Sequence, residues 1–157
     1  DWKADYGKDH DRPLSKRGIK AAKAMGIYLF KIQQIPDLII SSTALRAKTT
    51  AQIAKRTGQW NSKLILDNNI YHCSVDKLLA ILSQQDPKMN FICIVGHQPN
   101  FSHFLSEITD SSWVKLPTAS MVRIDLPLKN WEDLKFGKGV LSWMKRPKEL
   151  MPFKTSI

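Results

Sequence analysis

Residues 90–104, NFICIVGHQPNFSHF, constrain the fold more than any other stretch. Phe91 to Val95 form an unbroken apolar run that ends on Gly96-His97. Five apolar residues without polar alternation predict a strand buried on both faces, as in sheets covered by helices. Ligands of such sheets gather beyond the carboxyl ends of the strands. His97 falls at that end, on a glycine-hinged turn, ahead of a helical pattern running from Phe101 to Ile108. Taken alone, a histidine there is more often structural than catalytic.

The rest of the chain supplies what a covered sheet needs. Residues 1–14 are polar, with Gly7 and Pro13 as breakers, and read as a loop. Ser15 is placed to cap a helix whose apolar stripe is Ile19, Ala22, Met25, Leu29 and Phe30, and Pro36 closes it. Residues 37–41, DLIIS, make a short apolar strand. Ser42 or Thr43 then opens an alanine-rich helix that stops at Gly58. A strand over 63–66 and a loop over 68–73 follow. Ser74 caps a third helix with Leu78, Leu79 and Leu82 inward, and Asp86-Pro87 breaks it. Beyond Thr118 the pattern changes: Ser120 to Leu126 alternates apolar and polar, Trp131 to Leu134 is a brief turn, and Gly139 to Met144 is a further strand. This order predicts an α/β fold, a mainly parallel sheet flanked by helices with a C-terminal antiparallel hairpin, in one domain spanning 1–157.

Composition narrows the function classes. At 43% apolar residues with five tryptophans, 157 residues are enough for a packed core. No apolar segment approaches the ~20 residues of a membrane helix. Cys73 and Cys93 sit in no zinc-ligand pattern, and a cytosolic, reduced protein is the default expectation. The net charge of +10 suits nucleic acid, a membrane surface or a phosphorylated substrate, or, most commonly, a solvated surface with no dedicated partner. Trp2, Trp60, Trp113, Trp131 and Trp143 are too scattered for a base-stacking platform, so nucleic acid is not the expected partner.

Two strand ends carry candidate chemistry. Arg46 lies in the first turn of the helix after residues 37–41, where a planar five-donor fork beside free backbone N–H groups suits a phosphate. The competing reading is an arginine paired with a surface carboxylate. His97, on a neighbouring strand end, could donate to the same phosphate.

These segments resemble the histidine phosphatase superfamily, in its branch of SixA-like phosphohistidine phosphatases. The resemblance rests on SSTALRAKTT (41–50) followed by IVGHQPN (94–100), on the loop DRPLSKRG (11–18), and on the late SMVRIDLP and GKGVLSWMKRPKEL. It implies that Arg46 is a phosphate clamp and His97 the second active-site histidine, which stabilises the transferring phosphoryl group. The backbone N–H of Gln98 would help bind it. Arg12 would either lean toward the pocket or brace its loop, while Ser41, Ser42 and Thr43 would shape the turn. The family's nucleophile is the histidine of an Arg-His-Gly or Arg-His-Ala motif ending the first, central strand. No arginine in this chain is followed by histidine, so strand and nucleophile are both expected upstream of Asp1. Asp1, Asp5 and Asp11 are candidate general acids by position. His10 reads as a solvated loop residue, His72 as an outside candidate for the pocket wall, and His103 as a packing residue. No metal or cofactor is expected, since arginines and histidines supply the positive charge. The implied activity is hydrolysis of a phosphohistidine protein or a small phosphomonoester through a covalent phosphohistidine. The alternative is a non-catalytic phosphate- or phosphoprotein-binding module of the same fold.

Overall fold

A computed structural model of the chain describes residues 9–112, 116–117 and 119–150. Strand β1 (Leu38–Ser41) is its axis: all four residues are buried. It pairs in parallel with β2 (Lys63–Leu66) on one side and β3 (Ile92–Val95) on the other. Alternation along β1 divides the core between two faces. Ile39 packs with Leu29, Ala51, Ala54 and Trp60. Leu38 and Ile40 pack on the other face with Ile70, Leu78, Leu82, Phe104 and Ile108.

Helix α1 (Lys16–Lys31) begins where Ser15 Oγ accepts the N–H of Gly18 at 3.0 Å. Its buried face is built of small residues, Ala21, Ala22, Ala24 and Gly26, with Met25 and Leu29. That lets it lie close to α2 (Leu45–Thr57). A Cβ on Gly26 would stand 2.3 Å from the carbonyl oxygen of Ala54, so the approach admits only glycine. The Trp60 indole N–H donates to the Gly26 carbonyl at 3.1 Å and ties the two helices at that point.

Helices α3 (Val75–Ser83) and α4 (Asn100–Thr109) cover the other face. Ser74 caps α3, its hydroxyl accepting from Lys77 N–H at 3.1 Å, as expected. Strands β4 (Met121–Asp125) and β5 (Val140–Lys145) form a separate antiparallel pair with an irregularity between Arg123 and Ile124. A four-residue helix, α5 (Pro147–Leu150), follows and packs on α1 through Leu150, which the sequence reading did not separate from the hairpin.

The expected architecture is present: a parallel sheet flanked by helices, with a C-terminal hairpin. One expectation needs correction. The apolar run of β3 is half-buried throughout, not buried on both faces. Its residues line a groove of about 1560 Å³ that β4 residues also line. Among the described residues, no strand pairs with the groove-side edge of β3 or of β4. The fully buried central position belongs instead to β1.

Candidate functional site

The carboxyl ends of β1 and β3 open side by side. The Ser42 N–H reaches the Val95 carbonyl at 2.9 Å, extending the pairing one residue past β1. Gly96 then leaves room for the ring of Phe101, which would stand 2.5 Å from any Cβ there. The chain turns, and the His97 carbonyl accepts from Phe101 N–H at 3.1 Å as α4 begins.

Neither Ser42 nor Thr43 caps α2. The residue in the cap position is Ala44, with no side-chain cap bond. The physical reason is that both hydroxyls are engaged elsewhere. Ser42 Oγ, fully buried, lies 2.8 Å from His97 Nε2 and accepts the Ala44 N–H at 3.2 Å. Thr43 Oγ1 lies 3.0 Å from His10 Nε2. Residues expected to shape the turn therefore also hold two imidazoles.

Arg46, in the first turn of α2, turns its guanidinium toward His97, with Nη2 3.4 Å from Nδ1. A guanidinium only donates, so Nδ1 is the acceptor. The neutral ring then carries its proton on Nε2 and donates it to Ser42 Oγ, which fixes the tautomer. Burial, with the positive charge of Arg46 second, pushes the His97 pKa down to about 4. The ring is neutral at pH 7 and held within reach of the arginine fork.

Asp9, helical like His10 where a loop was expected, closes the site. Its carboxylate accepts from Tyr71 Oη at 2.7 Å, from Arg12 Nη2 at 2.5 Å and from Arg46 Nη2 at 3.3 Å. The Asp9 main-chain carbonyl accepts from Arg46 Nη1 at 2.8 Å. The Tyr71 hydrogen bond, and then the charges of Arg46 and Arg12, hold its pKa below the ordinary carboxylate value despite partial burial. Tyr71 also sets its ring edge-on to His97 at 5.3 Å and to His10 at 4.9 Å.

The sequence candidates divide accordingly. Arg46 and His97, 51 residues apart, meet, and Arg12 joins them through Asp9. His10 faces the site, where it had been expected to be solvated. His72 is exposed beside Tyr71, with ring centroids 4.1 Å apart. His103 is exposed on α4. Asp11 is 85% exposed and turns outward to His10, while Asp1 and Asp5 lie outside the described residues. Gln98 spends its side chain on α4 and the following loop: Oε1 accepts from Ser102 N–H at 3.0 Å, and Nε2 donates to the Leu116 carbonyl at 3.3 Å. Its backbone N–H is what remains for the site. Among the described residues, no group of three His, Cys, Asp or Glu side chains could hold a metal ion. No helix among them is long and apolar enough to cross a membrane.

Three site residues escaped the sequence reading: Asp9, Ser42 as a partner of His97, and Tyr71. Asp9 sits three residues before Arg12, a spacing that permits the ion pair, but nothing in one sequence separates it from its acidic neighbours. Tyr71 comes from the segment between β2 and α3 and meets Asp9 across 62 residues, a distance no local pattern reports.

Residues 1–77 match the histidine phosphatase superfamily (branch 1). An uncharacterised chloroplastic protein of Arabidopsis thaliana is 27% identical over 135 residues, covering 80% of this chain and 62% of its own length. An uncharacterised protein of Mycobacterium tuberculosis is 29% identical over 94 residues, covering 60% of this chain and 57% of its own. The chain thus spans about three fifths of the length of these curated relatives. A solved structure of the protein histidine phosphatase SixA complexed with tungstate superposes with a TM-score of 0.78 at 19% identity, covering 90% of this chain and 88% of that one. The SixA protein of Nakamurella multipartitia gives 0.77 at 22%, covering 88% and 87%. At such identities the structural likeness establishes the fold.

Proposed function

We propose that this chain, a member of the histidine phosphatase superfamily with a SixA-like fold, carries the phosphate-binding and charge-stabilising groups of a metal-independent phosphatase. The observation that supports this reading is the convergence of Arg46 and His97 at adjoining strand ends, with Nη2 and Nδ1 3.4 Å apart. A planar donor fork beside a polarisable ring, both partly buried, suits a phosphoryl group whose charge shifts during transfer.

In this reading a histidine nucleophile attacks phosphorus in line. A nitrogen–phosphorus bond forms, the bond to the leaving group breaks, and the leaving group takes the proton carried by a substrate bound as the monoanion. Water then attacks the phosphohistidine; its oxygen bonds to phosphorus, the nitrogen–phosphorus bond breaks, and inorganic phosphate departs. Arg46 donates to the equatorial oxygens throughout. His97 presents Nδ1, its unprotonated nitrogen, toward the arginine side of the site. Because Nδ1 accepts from Arg46 Nη2, the neutral ring keeps the arginine fork aimed at the phosphoryl oxygens as their charge shifts. A phosphohistidine substrate fits because its leaving nitrogen is itself basic and needs little help from an acid. That agrees with Asp11 facing away, and with Asp9 being held ionised by three donors.

The test is turnover and trapping in the full-length protein. With a phosphohistidine protein and a small phosphomonoester as substrates, His97→Ala is expected to lower kcat/KM by about 10³ while an acid-labile phosphoryl label still forms slowly. Undiminished turnover in His97→Ala would sink the assignment. Phosphate binding with neither turnover nor labelling in the unaltered protein would leave a phosphate-binding module as the function.

A further inference from the structure

We propose that Asp9 is a positioning residue for the phosphate site, holding the guanidinium groups of Arg12 and Arg46 in one fixed arrangement through a carboxylate anchored by Tyr71. This rests on the reading of Arg46 and His97 as the phosphoryl-binding pair.

Four side-chain donor groups converge on this one residue. Arg12 takes Oδ1, Arg46 Nη2 and the Tyr71 hydroxyl share Oδ2, and Arg46 Nη1 takes the main-chain carbonyl. Both terminal nitrogens of Arg46 are therefore held by the same residue, which fixes the plane of the guanidinium as well as its position. The second hydrogen of Nη2 points to His97 Nδ1 at 3.4 Å. What Arg46 keeps for an anion is Nε–H and the second hydrogen of Nη1. An arginine not so held would lose much rotamer freedom each time it closed on a phosphate. Holding it in advance moves that cost out of the binding step.

Tyr71 makes the arrangement rigid. Its hydroxyl fixes the carboxylate at 2.7 Å, and its ring edge rests against His97 and His10. The couple Asp9–Tyr71 thereby joins the segment before α1, the start of α2, the segment after β2 and the end of β3.

A different role for Asp9 is that of an internal anion, seated where the phosphoryl group goes and expelled by it. Two of the four contacts speak against that. The bond from Arg46 Nη1 ends on the main chain, which an incoming phosphate does not displace, and the neutral Tyr71 hydroxyl stabilises the carboxylate where it stands. The two roles predict opposite responses to removal of the charge.

The experiment compares Asp9→Asn, Arg12→Gln, the double variant and Arg46→Gln in the full-length protein. It uses a phosphorylated substrate for kcat and KM, inorganic phosphate as competitive inhibitor, and thermal melting as a check on the fold. If Asp9 orients the arginines, Asp9→Asn lowers kcat/KM about tenfold and weakens inhibition by phosphate. The double variant then loses less than the two single losses combined, because part of what Asp9 does is done through Arg12. Tyr71→Phe, which removes one hydroxyl and keeps the ring, lowers kcat/KM about threefold without a change in melting. Tighter phosphate inhibition with kcat/KM maintained or raised marks an internal anion and overturns the proposal. So does additive loss in the double variant, or unaltered kinetics in both Asp9→Asn and Tyr71→Phe. If Arg46→Gln leaves phosphate inhibition intact, the phosphatase reading itself fails, whatever Asp9→Asn does.

Discussion

Replacing Ser42 by alanine removes one oxygen atom from a fully buried position. That oxygen accepts from His97 Nε2–H at 2.8 Å and from the Ala44 N–H at 3.2 Å. Alanine leaves the imidazole N–H without its partner, at a cost of about 1–3 kcal/mol for a buried donor. The ring cannot escape by moving its proton to Nδ1, because that would set an N–H against the Arg46 guanidinium, which offers only donors. The Ala44 amide loses an acceptor near the start of α2, costing about 0.5 kcal/mol more. A net loss of about 2 kcal/mol follows, or roughly 4–8 °C in Tm for a chain of this size. Loss of ring orientation should lower kcat/KM by about tenfold to a hundredfold. Thr43→Ala is the control: its hydroxyl meets only the partly exposed His10, and about 0.5 kcal/mol is expected. Urea and thermal unfolding at pH 7, with kinetics on the full-length protein, measure both. If Ser42→Ala melts within a degree of the unaltered protein, or behaves as Thr43→Ala does, Ser42 does not hold His97.

Acid stability follows from the same ring. A histidine whose folded pKa lies near 4, against about 6.5 unfolded, favours the fold when neutral. Its contribution is fully present above pH 6.5 and is lost as pH falls toward 4. With solvent screening this amounts to about 1–2 kcal/mol, so urea midpoints should fall between pH 7 and pH 4.5, and fall less in His97→Gln. An identical pH slope in that variant would remove His97 from the account. The lowered pKa of Asp9 adds a loss of the same sign at still lower pH, below its unfolded value. Gly26→Ala should destabilise by about 3 kcal/mol, since the added methyl meets main-chain atoms of Ala54 that cannot turn aside. Denaturant titration reads this directly, and a stabilised variant would mean the helices are not so close.

Much of the fold was legible because its signals are local. Ser15 and Ser74 cap the helices they precede, Gly58 stops α2, and the apolar run before Gly96 is a strand. Where a local signal served two masters, it misled. Ser42 and Thr43 have the chemistry of helix caps, and their oxygens instead meet His97 and His10. The run at Phe91–Val95 reads as a doubly buried strand, yet it lines an open groove while β1 takes the centre. Burial depends on which strand lies next in space, and periodicity does not report that.

The sequence by itself determined which residues could bear chemistry and which strand ends would carry them, since strand, turn and helix patterns span only a few residues each. It placed Arg46 and His97 at such ends, and there they meet. The tertiary structure alone decided which atoms face one another across 37 to 62 residues of chain: Asp9 on Arg46 and Tyr71, and Ser42 on the one nitrogen of His97 that carries the proton. Hydrogen bonds of about 3 Å are set by packing of the whole sheet and its helices, and no stretch short enough to show a pattern contains both partners.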